Sequence, residues 1–321
     1  MVKHIHQIVA DDFARLNEKV VSHLYSSVPL VESIGHYIIE AGGKRMRPVL
    51  VLLCSSALGY RGDKHVDLAT VIEFLHTATL LHDDVVDMSE MRRGRPTANV
   101  RWDNPSSVLV GDFIYSRAFQ LLVGIGNMEI MDVMASTTNR ISEGEVLQLV
   151  HQRNPRTTEA AYMEVIRNKT AILFAAACSS AAILAGADKT MQEKLHTFGL
   201  EVGMAFQLVD DVLDYSGSAL EMGKNVGDDL AEGKPTLPLI HVMQHGSESE
   251  KTMIIDAIRN GGLEKLEEII TVVKASGALD YTRKVAQQRI DLALSCLQEL
   301  QDSPYKTGLV QVAEAALNRS S

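Results

Sequence analysis

Apolar positions recur mostly three and four residues apart along this chain, the period of a helix with one face buried. That spacing predicts helices over residues 4–25, 48–58, 67–88, 106–123, 129–151, 158–184 and 189–214, with several shorter helices from 236 to the end. No convincing strand alternation interrupts the pattern, and Gly42-Gly43, Gly186 and Gly261-Gly262 punctuate it as turns. The expected fold class is all-α. No low-complexity linker divides the sequence, so residues 1–321 read as a single large domain.

Composition sharpens this. Hydrophobic residues make up 46% of the 321 residues, enough for a large core, and only 8 prolines break it. The most apolar segment, 171–187, is alanine-rich, carries Ser179 and Ser180, and is short for a membrane span. It reads as a closely packed buried helix. Residues 1–20 hold Asp11, Asp12, Arg15, Glu18 and Lys19 and no long apolar stretch, so no secretory signal is expected. The three cysteines, Cys54, Cys178 and Cys296, lie far apart in apolar surroundings, as free thiols of a reducing cytosol would. A soluble, cytoplasmic protein is expected. The formal net charge of -10 argues against nucleic acid as a partner but leaves room for a local cationic site for phosphates.

Two segments carry concentrated chemistry. LLHDDVVD holds Asp83, Asp84 and Asp87; FQLVDDVLD holds Asp210, Asp211 and Asp214. Each is Asp-Asp-x-x-Asp on an otherwise apolar predicted helix, and residues three and four apart share a helix face. One copy alone would read as an acidic face in water. Two copies on core helices are harder to dismiss, because crowded carboxylates near a core cost several kcal/mol unless paired. Few lysines or arginines share these helices. Magnesium, which takes one or two carboxylates plus substrate phosphates, is the natural partner. Two patches facing across a cavity could hold a diphosphate between them.

The cationic counterpart is also present. AGGKRMRP places Lys44, Arg45 and Arg47 after a glycine pair and before Pro48, near a helix N-terminus that favours anions. MRRGRPT adds Arg92, Arg93 and Arg95 directly after the first acidic set. Either cluster alone is more often a solvated turn; arginine forks nonetheless match phosphate oxygens. His76 lies two turns before Asp83 on roughly the same face, Gln207 one turn before Asp210 and Asp211, and Lys169-Thr170 interrupts an apolar helix. The segment 216–235 is rich in glycine and charge. By composition it is a solvated loop; by position, directly after the second acidic set, it suits a lid over phosphates.

GGKRMRP, LLHDDVVDMSEMRRGRPT, GEVLQL, NKTA, FQLVDDVLDYSG and GKNVGDDLAEGKPTLPL together resemble the trans-isoprenyl diphosphate synthases, in the right order over nearly the whole chain. Within that family the resemblance points to the bacterial long-chain enzymes whose octaprenyl product becomes a quinone side chain. It implies an antiparallel helical bundle around a central cavity, usually a homodimer, with at most transient membrane contact for product release. It implies that Lys44, Arg47, His76 and Arg93 bind isopentenyl diphosphate and that Arg92 meets the allylic diphosphate. Asp83, Asp84 and Asp87 would hold Mg2+ on one side and Asp210 on the other, supported by Asp211 and Asp214. Lys169, Thr170, Gln207, Lys224 and Lys234 would line the allylic diphosphate and the reacting carbon. Ala78 and Thr79, small residues one turn below the aspartates, would leave room for a long product, where short-chain members carry aromatic residues.

The rival readings are a shorter-chain geranylgeranyl synthase, a head-to-head synthase or terpene cyclase, and a non-catalytic regulatory subunit. The second cationic cluster disfavours cyclases, which need no isopentenyl diphosphate pocket. Both acidic sets are intact, unlike those typical of non-catalytic subunits.

Overall fold

In a computed structural model, residues 2–216 and 227–319 of the chain are described. Helices dominate, as the spacing predicts. Residues 4–25 form two helices, α1 (Val2–Ile8) and α2 (Ala10–Ser22), broken at Val9. A helix not anticipated, α3 (Pro29–Glu40), follows with proline in its first turn. Then come α4 (Met46–Ala57), α5 (Lys64–Val86), the single turn α6 (Ala98–Arg101), α7 (Asn104–Ile125) and α8 (Met128–His151). The helix expected over 158–184 is α9 (Glu159–Ile166) and α10 (Ile172–Leu184), joined by a π-helical turn at Arg167–Ala171. After α11 (Lys189–Ser216), shorter helices close the chain, among them Leu237–His245, Glu248–Asn260, Leu266–Ala275, Ala278–Ser295 and Pro304–Leu317.

Among the described residues the exception to an all-helical pattern is a two-stranded hairpin, Met91–Arg92 paired with Arg95–Pro96. Its turn residues Arg93 and Gly94 both have positive φ, the geometry a two-residue hairpin loop requires. Strands of two residues are too short to show alternation, which is why the sequence pattern does not announce them.

The chain divides into two compact units. The first comprises Met1–Thr138, Leu173–Gly199 and Leu294–Ala315. At its centre α5 packs against α2, α4 and α7. Helices α4 and α5 are apolar nearly all round, so they are enclosed rather than laid on a surface: Val49 to Cys54 and Val66 to Leu75 are almost wholly buried. The alanine-rich α10 is likewise buried, and a Cβ at Gly199 would stand 2.4 Å from the Phe174 carbonyl oxygen, so here the helix backbones nearly touch. Cys54 and Cys178 are buried free thiols and Cys296 is half-buried.

The second unit comprises Asn139–Ile172, Leu200–Ala293 and Ala316–Ser321. Its core joins Val212 and Tyr215 of α11 to Leu239, Val242, Ile254, Ile258, Ile269 and Val273 of the following helices. Gly144 of α8 lies against the π turn: a Cβ there would meet the Lys169 amide nitrogen at 2.6 Å. That approach fixes where Lys169 and Thr170 leave the helix.

Candidate active site

The first acidic set closes α5. Asp83 and Asp87 are half-buried on a stripe that continues down the helix through Thr79 and His76. Asp84 points elsewhere. It is fully buried, and both Arg92 Nε and Nη2 donate to its Oδ1, at 2.8 and 2.7 Å. Its Oδ2 is buried without a hydrogen-bond partner, and burial raises its pKa against the pull of Arg92. The arginine that the resemblance assigns to the allylic diphosphate therefore also ties the hairpin back to α5.

The basic cluster forms around the turn between α3 and α4. Gly42 and Gly43 have φ of 75° and 145°, and Arg45 at the start of α4 is left-handed. Gly43 favours glycine because its φ of 145° strains any side chain, and a Cβ there would also displace the Arg93 guanidinium, 2.8 Å away. His6 on α1 lies 3.1 Å from the Lys44 carbonyl oxygen and steadies the turn. Arg47 donates to His76 Nε2 at 3.1 Å and stacks over the Phe174 ring at 4.4 Å. Desolvation, with the charges of Arg47, Arg93 and Arg92, holds the His76 imidazole well below its usual pKa, so it stays neutral and accepts from Arg47. Four expected residues, Lys44, Arg47, His76 and Arg93, thus belong to one neighbourhood of the first unit.

Sequence reading missed Glu73 here. It is buried on α5, one turn before His76, 3.8 Å from Arg45. Burial raises its pKa, while Arg45, Arg93 and Arg47 oppose the rise. Its signal was available, a lone glutamate inside an apolar helix opposite an arginine-rich turn.

The second acidic set lies on α11 in the second unit. Tyr162 Oη donates to Asp211 Oδ2 at 2.5 Å, and Gln207 Nε2 donates to Oδ1 at 2.8 Å. Thr170 Oγ1 donates to Gln207 Oε1 at 3.1 Å. Burial, with the charges of Asp229 and Asp210, pushes the Asp211 carboxyl up to about 8 against those hydrogen bonds. Asp214 is fully buried; Asp210 keeps about a third of its side chain exposed. Arg319, near the end of the chain, stacks on Phe206 at 3.9 Å and lies 3.4 Å from Asp210. Asp229 and Arg319 were not singled out from the sequence; Asp229 sits in the quoted GDDL motif, whereas nothing local marks Arg319. Lys169 donates to Glu145 at 2.7 Å, and Lys234 pairs with Glu232. Lys224, and most of the expected lid, fall outside the described residues.

These residues suit a hard divalent cation. The donors are all oxygens, one buried carboxylate oxygen of Asp84 is unpartnered, and burial, with the charges of Asp229 and Asp210, raises the Asp211 carboxyl. Among the described residues no three His, Cys, Asp or Glu side chains form a ready-made cage.

A sequence model of the polyprenyl synthetase family matches residues 28–275. The chain is 47% identical over 319 residues to the octaprenyl diphosphate synthase of Escherichia coli (strain K12), covering 99% of each. It is 48% identical over 312 residues to the all-trans-nonaprenyl-diphosphate synthase (geranyl-diphosphate specific) of Rhodobacter capsulatus, covering 97% of this chain and 96% of that one. Among solved structures, it resembles a polyprenyl synthase from Caulobacter crescentus CB15 complexed with calcium and isoprenyl diphosphate. That match has a TM-score of 0.97 and 38% identity, over 100% of this chain and 98% of that one. A decaprenyl diphosphate synthase from Rhodobacter capsulatus matches with a TM-score of 0.94 and 42% identity, over all of both chains.

Proposed function

The chain belongs to the polyprenyl synthetase family, and from that premise we propose that it is a long-chain trans-polyprenyl diphosphate synthase. It adds isopentenyl diphosphate head-to-tail, repeatedly, to an allylic diphosphate such as farnesyl diphosphate, to an octaprenyl product that serves quinone synthesis. The observation that carries this is near-half identity to an octaprenyl diphosphate synthase across 99% of both chains. The two acidic sets and the basic cluster support it chemically. Treating the whole chain as one catalytic domain is part of the proposal. In its favour, the breaks at 138/139, 199/200 and 293/294 fall inside helices rather than linkers.

Each residue then has a task. Lys44, Arg47, Arg93 and neutral His76 bind the diphosphate of isopentenyl diphosphate, leaving its double bond free to attack. Lys169, Thr170, Gln207, Lys234 and Lys224 line the allylic substrate. Asp83 and Asp87, with Asp84 behind them, would hold a divalent cation in the first unit and Asp210 one in the second, Mg2+ in this proposal. When bound, that cation neutralises the charge developing on the departing diphosphate. The calcium reported with the Caulobacter relative supports a cation of this class. Attack on the allylic carbon is followed by loss of a proton, which the released diphosphate can accept, so no side-chain nucleophile is required. The direct test incubates the protein with radiolabelled isopentenyl diphosphate, farnesyl diphosphate and Mg2+ and sizes the products. Long-chain products are expected; failure to extend the primer would sink the reading, and products stopping at geranylgeranyl would reassign it.

The two cationic groups should separate in kinetics. Arg47→Ala is expected to raise KM for isopentenyl diphosphate about tenfold or more, the value of a lost charge-assisted contact, with little change for the allylic substrate. Arg92→Ala is expected to weaken the allylic substrate and also to destabilise the fold by roughly 3 kcal/mol, because it strands the buried Asp84. Steady-state kinetics in each substrate and urea denaturation check both; equal damage to both substrates in both variants would refute the division.

The homodimer is also a proposal. Helix α7 is long and apolar enough to cross a bilayer, yet only 33% of its most apolar window is buried. Leu109 and Val123 are 66% and 70% exposed, while Asp112, Ser116, Arg117 and Gln120 punctuate the helix as they would in a subunit contact. Leu109→Asp is expected to shift sedimentation toward monomer; an unchanged species would move the interface elsewhere.

A further inference from the structure

We propose that Tyr162 is a positioning residue of the second acidic set, which holds Asp211 away from the cation so that Asp210 is the carboxylate that meets it. The inference rests on the prenyl-transfer reading and deepens it. Asp210 and Asp211 are adjacent on α11, about 100° apart around the helix, so they cannot face the same point. Asp211 is turned into the protein. Its two oxygens accept from Tyr162 and from Gln207, and the Gln207 amide is itself held by Thr170. Tyr162 and Asp211 are 5% and 2% exposed, so water does not compete for these bonds. Asp210 is the half-exposed member, and the group beside it is the guanidinium of Arg319 at 3.4 Å, a monovalent cation that a bound divalent one can displace.

The arrangement draws on three elements, α9 for Tyr162, the π turn for Thr170 and α11 for the aspartates. A widened turn is a common place for a functional side chain to leave a helix. Here it delivers Thr170 to the Gln207 carbonyl and so orients the amide that donates to Asp211. Removing the Tyr162 hydroxyl frees one Asp211 oxygen and lets the motif rotate; replacing the Asp211 carboxyl by an amide leaves an oxygen that still accepts from the phenol.

The test is Mn2+ binding in the presence of inorganic diphosphate, followed by electron paramagnetic resonance, alongside steady-state kinetics. Tyr162→Phe is expected to weaken Mn2+ about tenfold, the loss of one buried hydrogen bond, while KM for isopentenyl diphosphate changes by less than about twofold. Asp211→Asn, whose amide oxygen still accepts from Tyr162, is expected to lose no more than Tyr162→Phe, and Asp210→Asn to lose at least about ten times more affinity. Unchanged Mn2+ binding in Tyr162→Phe, or equal losses in Asp210→Asn and Asp211→Asn, would overturn the assignment. So would a rise in the isopentenyl diphosphate KM parallel to the Mn2+ loss, which a merely structural tyrosine would produce. If Tyr162→Phe does not fold, Gln207→Leu removes the other donor; weakened Mn2+ binding supports the assignment and unchanged binding overturns it. Wild-type protein that binds Mn2+ but extends no prenyl chain would defeat the proposed function and leave this assignment standing.

Discussion

Asp83→Ala and Asp210→Ala are each expected to lower kcat about 1,000-fold, the loss seen when a group that stabilises developing charge is removed. Both proteins should remain folded. Asp83 is half-buried and Asp210 keeps about a third of its side chain exposed, so neither substitution opens a large cavity in the core. Asp84→Ala is a poorer probe. It would strand the Arg92 guanidinium in a partly buried site, and the cost, about 3–5 kcal/mol for breaking a buried pair, would mix stability with chemistry. Circular dichroism and thermal melting would establish folding, and turnover across a titration of Mg2+ would follow the chemistry. Near-normal turnover in either alanine variant would remove the cation-binding role of that set.

Ala78→Tyr is expected to convert a long-chain product into short ones while leaving the first condensations intact. The aspartates sit at the C-terminal end of α5, and a chain growing away from them passes the level of Thr79 and Ala78 about one turn below. Thr79 lies on the same half-buried stripe as Asp83, with its hydroxyl tied to the His76 carbonyl oxygen at 2.8 Å. Ala78 beside it is fully buried. If Ala78 lines the product tunnel, a phenol ring there occupies room that a long prenyl chain needs. If Ala78 serves only the core, the same change overpacks it, costing about 1–3 kcal/mol, and lowers yield without altering length. Product sizing separates the outcomes: an active Ala78→Tyr enzyme with unchanged long products would refute the role.

Most helices were legible because burial of one face imposes a period on the sequence. Helix α3 was not, since Leu30 lies toward solvent, Val31 is only half-buried and Gly35 takes a core position, with Leu24 3.1 Å from where its Cβ would be. The hairpin was not, because two paired residues per strand leave no alternation to read. The π turn at Lys169 and Thr170 was visible only as polar residues in an apolar run.

By itself the sequence determined the all-helical class, the two carboxylate sets, the cationic turn and the histidine below it, because each depends on residues close together in the chain. Helical geometry alone puts positions three and four apart on one face. What the tertiary structure decided is the work of the individual members. Within the first set, Asp84 is turned to Arg92 while Asp83 and Asp87 stay half-open. Within the second, Asp211 is fixed by Tyr162 and Gln207 while Asp210 faces Arg319. Glu73 stands among the arginines of a turn far from it in sequence. Three of these pairings, Glu73 with Arg45, Asp211 with Tyr162 and Asp210 with Arg319, join residues tens to more than a hundred positions apart. Their strength comes from burial, which strips water from the charges and makes each partner's direction matter. A local pattern carries composition and spacing, but desolvation and orientation exist only once the chain has folded around them.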